Sequence, residues 1–131
     1  MKRSVFIIPI IIVAIVIAFS AYSEISYMVN TSIDITSGSG ASTSPDCVST
    51  QTCFYPNPVT ISTGDTVTWT NKDSLRHRIA SGTPTGEVAG TIFDSKIIEP
   101  GQTFKFTFTK AGTYDYFCII HPWLQGQVIV K

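Results

Sequence analysis

Apolar and polar residues alternate in several short stretches of the chain, at the period of two that is typical of β-strands. In TFKFTFT the residues Phe104, Phe106 and Phe108 share one side, and in TVTWTN Val67 and Trp69 do the same. Turn sequences such as TGD and PGQ separate the stretches. The pattern predicts an all-β domain of seven or so short strands, packed as a sandwich or barrel. We expect its core to contain the aromatic residues Trp69, Phe104, Phe106, Phe108 and Tyr116.

The N-terminal segment has a different pattern, that of an export leader. Lys2 and Arg3 precede fifteen apolar residues, VFIIPIIIVAIVIAF. Residues 1–23 are a signal peptide cleaved near residue 23, or residues 5–22 remain as a helical membrane anchor. At about 1.5 Å per residue such a helix approaches the ~30 Å core of a bilayer, and we favour the anchor slightly. Both alternatives place the globular part outside the cytoplasm.

A region of low apolar content joins the leader to the domain. Apolar and polar residues alternate in residues 24–35, which form an extended stalk or a first strand. Residues 36–46, TSGSGASTSPD, are a Gly/Ser/Thr-rich linker with little to bury. We expect the packed domain to begin near Cys47 and to occupy residues 47–131.

The composition excludes several classes of function. The chain has 131 residues, enough for one domain, and a formal net charge of zero. No basic run is longer than Lys2-Arg3, so nothing predicts nucleic acid binding. The sequence also contains no G-x-G-x-x-G motif and no P-loop.

The three cysteines divide into a pair and a single residue. Cys47 and Cys53 are separated by five residues and can form a disulfide that closes a small loop, worth about 2 kcal/mol. Two free thiols are less expected in an oxidising compartment. A zinc site is less expected still, because no further Cys or His lies nearby.

The remaining thiol, Cys118, lies three residues before His121 in a turn between two strand-like stretches. Burial as a small apolar residue at a strand end is one explanation for Cys118, but its neighbours His121 and Pro122 argue against it. The only other histidine, His77, follows the TVTWTN stretch, and a neighbouring strand could bring it alongside. One thiolate and two imidazoles form the trigonal set that selects copper for electron transfer. The residues therefore predict a copper site.

On these residues the chain resembles the cupredoxins, most closely the amicyanin- and plastocyanin-like small blue copper proteins. The resemblance covers residues 53–131 and is carried by VTISTGDTVTWTNKDSLRH, PGQTFKFTF and AGTYDYFCIIHPWLQGQVIV. It implies a Greek-key β-sandwich of about eight strands with one type 1 copper at one end. It also implies that His77, Cys118 and His121 are the equatorial ligands, and that the protein carries single electrons between larger redox partners.

The chain departs from the resembled family at two positions near the copper. Leu124 stands where amicyanin-like loops have a weak methionine ligand, and we expect it to face the metal without binding it. Loss of the weak sulfur ligand raises the reduction potential by about 100 mV, or roughly 2.3 kcal/mol. A distant backbone carbonyl before His77, or the amide of Gln125 one residue off register, are the competing axial donors. Arg78 replaces an asparagine that supports the cysteine loop; we expect Arg78 to be solvated and Asn71 to be a simple turn residue.

The resemblance also implies how a partner would dock. Pro122, Trp123 and Leu75 are expected to form an apolar docking patch around the ligand histidine, and a near-neutral charge favours apolar docking over electrostatic steering. In the resembled family that histidine faces solvent. If His121 does the same, its protonation in acid could release it from Cu(I) and raise the potential.

The alternatives to an exported electron carrier are limited by the residues present. A multicopper oxidase or nitrite reductase needs further histidines, and the chain has two. An accessory copper-binding subunit of a copper enzyme remains open. A copper-delivery module is weaker, because the only methionines are Met1 and Met28. A structural domain without metal is disfavoured by the full set of three ligands.

Overall fold

A computed structural model describes residues 29–41 and 46–131 of the chain. The predicted leader (residues 1–23) and its anchor helix (residues 5–22) lie outside the described residues. Within the described ranges, no helix is long and apolar enough to cross a membrane.

Eight strands form two four-stranded sheets. In chain order the elements are β1 (Asn30–Ile35), α1 (Asp46–Thr50), β2 (Phe54–Tyr55), β3 (Val59–Ile61), β4 (Thr66–Asn71), β5 (Ile79–Ser81), β6 (Thr103–Thr107), β7 (Gly112–Cys118) and β8 (Gln125–Val130). The first sheet has the order β2-β1-β4-β6 and the second the order β3-β8-β7-β5. The predicted all-β sandwich of about eight strands is confirmed.

The first strand belongs to the sandwich and is not a free stalk. β1 runs parallel to β4 along its whole length, from Asn30 opposite Thr66 to Ile35 opposite Asn71. Ile33 and Ile35 are fully buried in the core. The expectation that packing begins near Cys47 is therefore wrong, since the sheet extends the domain back to Asn30.

Inward-facing aromatic and branched side chains fill the space between the sheets, as the alternation predicted. Trp69 is fully buried; it stacks on Phe104 at 5.6 Å between ring centroids and meets Tyr116 edge-on at 5.3 Å. Tyr116 and Phe108 are 1% exposed, whereas Phe104 and Phe106 are half-buried. This close packing makes the core rigid, and the core supports the loops at the end of the sandwich.

The disulfide that the sequence predicted begins in the short helix α1. Cys47 and Cys53 are joined across a turn, and Cys53 is buried against the core. The helix itself was not predicted. It spans five residues, none of them buried, which explains why no apolar periodicity marks it in the sequence.

Candidate metal centre

The predicted ligands meet at one end of the second sheet, where β5 and β7 pair. Cys118 is the last residue of β7 and pairs with Ile79, the first residue of β5. His77 lies two residues before β5 and is fixed by two backbone hydrogen bonds with Ile98, of 3.1 and 2.8 Å. Sheet register therefore brings together residues that are 41 positions apart in the chain.

A short loop between β7 and β8 supplies the third residue. The backbone N–H of Leu124 donates to the carbonyl of His121 at 2.9 Å, which closes a tight turn. The N–H of Cys118 donates to the carbonyl of Leu124 at 3.0 Å. These two bonds hold His121 over Cys118 and leave little freedom to the loop between the strands.

Three potential ligand atoms converge in a buried position. Sγ of Cys118 lies 3.5 Å from Nδ1 of His77 and 3.7 Å from Nδ1 of His121, and the two Nδ1 atoms are 3.2 Å apart. Cys118 and His77 are fully buried and His121 is 9% exposed. Among the described residues, these three are the one such group of His, Cys, Asp and Glu.

A buried carboxylate fixes the orientation of His77. Nε2 of His77 lies 2.9 Å from Oδ2 of Asp73. Burial raises the pKa of Asp73, but hydrogen bonds from His77 and from backbone N–H groups outweigh it, so this pKa lies below its ordinary value. The ionised carboxylate accepts the proton of Nε2, and Nδ1 of His77 therefore presents its lone pair to Cys118.

Burial also sets the protonation of the three converging side chains. It lowers the pKa of His77, with Asp73 opposing the shift, and lowers that of His121, where the neighbouring His77 adds to the effect. Both imidazoles are thus neutral at pH 7, which is the form that binds metals. Burial raises the pKa of the Cys118 thiol, so the thiolate forms when a cation replaces its proton.

The donor set fits copper. The two imidazole nitrogens and the cysteine sulfur lie 3.2 to 3.7 Å apart. At these distances their lone pairs repel one another unless a cation or a proton lies among them. One sulfur with two nitrogens is the trigonal set of blue copper sites, whereas structural zinc uses four ligands. The three side chains named from the sequence are those that the structure brings together.

The thiol receives its hydrogen bond from a backbone group. The N–H of Arg78 donates to Sγ of Cys118 at 3.5 Å, so replacing the family's asparagine does not remove this support. Arg78 keeps contact with solvent as expected, with 35% of its side chain exposed. Its guanidinium pairs with the carboxylate of Asp94, with Nε 2.9 Å from Oδ1, because the bridge between Ala80 and Asp94 brings that segment alongside.

Two residues that the sequence did not single out as supports hold the loop before His77. Asn71, expected to be a simple turn residue, is fully buried. Its side-chain amide donates to the carbonyls of Leu75 and Ile98 and accepts from the N–H of Asp73. The spacing of Asp73 four residues before His77 was the only sequence signal for this arrangement.

Around the loop, the residues predicted for axial and docking roles differ in exposure. Leu124 is fully buried, whereas Gln125 is exposed and its amide donates to the carbonyl of Pro122. Pro122 is exposed and Trp123 half-buried. Leu75, from the loop after β4, is 42% exposed.

His121 is largely covered, although it still borders a shallow hollow together with Leu75 and Ile120. The residue is 9% exposed, and its ring packs edge-on against Trp123, at 5.3 Å between ring centroids. The segment around Gly40, which the sequence assigned to a linker with little to bury, covers it: Ser39 and Gly40 are both buried. Release of this histidine in acid would therefore require the segment around Gly40 to move aside.

Comparisons with known proteins point to the same chemistry. Residues 41–131 match the family described as "Copper binding proteins, plastocyanin/azurin family". An amicyanin of Paracoccus versutus is 40% identical over 73 residues, which are 56% of this chain and 54% of that protein. A chloroplastic plastocyanin of Tetradesmus obliquus is 38% identical over 84 residues, 60% of this chain and 58% of that protein. The chain thus spans little more than half the length of these relatives.

The fold has matches among solved structures as well. A structure described as "Novel Purple Cupredoxin from Nitrosopumilus maritimus" superposes with a TM-score of 0.66 at 33% identity. The match covers 77% of this chain and 99% of that one.

Proposed function

The chain belongs to the plastocyanin/azurin family of copper binding proteins, and we propose that it is an exported blue copper protein that carries single electrons between larger redox partners. Cupredoxins of this family bind one copper and are electron carriers, not enzymes. The observation that carries the proposal is the convergence of one sulfur and two Nδ1 atoms in a buried site. Copper supplies a one-electron couple there.

The side chains around the site favour rapid electron transfer by holding their positions. His77 is fixed by Asp73, Cys118 by the strand pair of β5 and β7, and His121 by the turn to Leu124. When the ligands are held in place, their positions change little between Cu(I) and Cu(II), and the electron transfer needs little reorganisation. Rigid ligands on a packed core therefore suit a carrier better than an exchangeable delivery site.

We assign Leu124 to the axial position as a residue without a donor atom. Its full burial and its place in the loop support this assignment. Gln125 is disfavoured because its side chain is exposed and its amide bonds to Pro122 within the loop. An apolar side chain at that position destabilises Cu(II) relative to Cu(I) and raises the reduction potential.

Export is supported by the sequence of the leader and by the disulfide between Cys47 and Cys53. Disulfides persist in oxidising compartments and are rare in the cytosol. We therefore place the domain on the outer side of a cell membrane, retained by residues 5–22 or released after cleavage near residue 23.

Partners are proposed to dock on the apolar surface at the copper end, through Leu75, Pro122 and Trp123. Leu75 and Ile120, 42% and 41% exposed, border a shallow hollow together with His121. Apolar side chains of this size next to a ligand histidine suit a partner with an apolar face of its own. An accessory subunit of a copper enzyme would use the same surface, with the enzyme as its partner.

The test is a copper titration of the full chain, purified in a mild detergent. We expect one copper per chain and an intense thiolate-to-copper band that disappears on reduction and returns on oxidation. Cys118→Ser is the matched control, because it removes the sulfur and little volume, and it should abolish the band. A colourless complex, or binding that Cys118→Ser leaves unchanged, would refute the proposal.

A further inference from the structure

Three consecutive residues, 38–40, lie against the metal centre; we refer to them as the strap. They follow β1 and form a tight turn in which the N–H of Ala41 donates to the carbonyl of Gly38 at 3.2 Å. Gly38 has a φ of +81°, in the left-handed region that favours glycine. The strap crosses the copper end beside His121, although the two are far apart in the sequence.

The strap is bonded to the groups that surround both histidines. N–H groups of Gly38 and Gly40 donate to the two carboxylate oxygens of Asp73 at 2.9 and 3.0 Å. The indole N–H of Trp123 donates to the carbonyl of Ser39 at 3.0 Å. Asp73 is the group that orients His77, and Trp123 packs on the ring of His121. One short segment thus joins the supports of two ligands.

A side chain at position 40 would crowd the metal centre. A Cβ atom on Gly40 would lie 3.0 Å from Cε1 of His121 and 3.1 Å from its Nε2, and 3.0 Å from Oδ2 of Asp73. These distances are shorter than ordinary van der Waals contacts, so the ring or the carboxylate would have to move. The backbone of Gly40 consequently lies close to the Cε1–Nε2 edge of the imidazole, which adjoins the ligating Nδ1.

We propose that Gly40 is a positioning residue of the copper centre: through it the strap holds the ring of His121 and closes that edge of the site to water and chelators. The inference rests on the proposed function, since it concerns how the copper ligands are held. It assigns to a Gly/Ser-rich stretch a role that its composition does not suggest. The turn to Leu124 holds the backbone of His121, whereas the strap restrains rotation of its ring about the side-chain bonds.

The experiment compares the copper-loaded full chain with its Gly40→Ala and Gly40→Val variants. The rate of Cu(I) transfer to a competing chelator should rise about tenfold in Gly40→Ala and further in Gly40→Val, the range found when groups that support metal ligands are changed. The thiolate-to-copper band should shift in both. Ser37→Ala is the matched control, because Ser37 is exposed, adjacent to the strap and free of any contact used here. Transfer rates and spectra equal to those of the unmodified chain would overturn the proposal.

A second measurement on the metal-free protein separates this inference from the proposed function. Hydrogen exchange at the indole N–H of Trp123, read by NMR, reports whether the strap is closed. We expect slow exchange in the unmodified chain and in Ser37→Ala, and exchange about tenfold faster in both Gly40 variants, because an opened strap exposes the bond to water. Equal exchange in all four proteins would refute the strap even if the copper site is real. A failure to bind copper, with the exchange difference present, would refute the proposed function alone.

Discussion

Asp73 shows how much a single residue contributes to the site. Its carboxylate is 1% exposed and receives hydrogen bonds from His77, Gly38, Gly40 and Ser74. A buried charge is tolerated when several donors surround it. The sequence signal for it, a carboxylate four residues before a histidine, is common in proteins without metal. The candidate copper ligands could thus be predicted by chemical type, whereas the residue that orients one of them could not.

Leu124 sets the reduction potential, according to the proposed axial assignment. Leu124→Met introduces a weak thioether donor of similar volume and should lower the potential by roughly 100 mV, since sulfur stabilises Cu(II) relative to the present site. Voltammetry of the copper-loaded chain measures the change. Leu124→Ile, which adds no donor, is the control and should stay near the original value. Equal potentials for the Met and Ile variants would contradict the axial assignment.

The pair of Arg78 and Asp94 predicts a pH-dependent contribution to stability. Hydrogen bonds from Arg78, more than the opposing effect of burial, hold the pKa of Asp94 below its ordinary value of 3.8. A lowered pKa stabilises the folded state above pH 3.8, and this stabilisation is lost as the pH falls toward the folded-state pKa. Asp94→Asn should therefore lower the thermal midpoint of the metal-free protein at pH 7.

The difference between Asp94→Asn and the unmodified chain should shrink as both are acidified to about pH 2. Thermal unfolding followed by circular dichroism at a series of pH values provides the measurement. A difference that stays constant across this range would show that the substitution acts through packing and that the ion pair contributes nothing.

At the scale of elements, the strands could be predicted well and the loops poorly. Period-two alternation marks β4 and β6 because each has one face toward the core. β1 was recognised only as a possible strand, since its parallel pairing with β4 depends on a partner more than thirty residues away. The strap was missed for a related reason: its burial comes from backbone contacts with Asp73 and His121, which leave no apolar pattern in the sequence.

The pairing of β7 with β8 depends on a glycine. Tyr116 lies opposite Gly126, and a Cβ atom at position 126 would be 2.3 Å from Cζ of the buried tyrosine ring. Gly126→Ala should therefore destabilise the metal-free protein by about 2 kcal/mol, the cost of overpacking a rigid core. Urea unfolding measures the loss, with Thr113→Ala on the exposed side of β7 as the control. An alanine variant that unfolds like the unmodified chain would contradict the close packing described here.

For the whole molecule, the net charge and the exposed apolar side chains bear on how a partner would dock. Its formal net charge is zero, and large apolar side chains are exposed near the copper end: Leu75, Ile97, Ile119 and Ile120. Composition predicts a near-neutral, apolar mode of docking, which stays a proposal. It could not predict that the ligand histidine lies under the strap, because that depends on chain segments which meet only in the folded protein.

Electron self-exchange between two copies of the protein tests this view of docking. Because the net charge is zero, raising the salt concentration from about 10 mM to 0.3 M should change the exchange rate by less than about threefold. Ile120→Lys places a charge on the apolar surface and should slow exchange at low salt. NMR line broadening in mixtures of reduced and oxidised protein gives the rate. A steep salt dependence in the unmodified chain would indicate electrostatic steering instead.

In the proposed function, His77, Cys118 and His121 hold one copper in the same arrangement in both oxidation states. X-ray absorption at the copper edge, recorded on the loaded full chain before and after reduction, measures the ligands directly. We expect one sulfur and two nitrogen neighbours in both spectra, with no second sulfur, as the leucine at position 124 requires. A first coordination shell without sulfur, or one that changes its ligands on reduction, would contradict copper binding by these three residues.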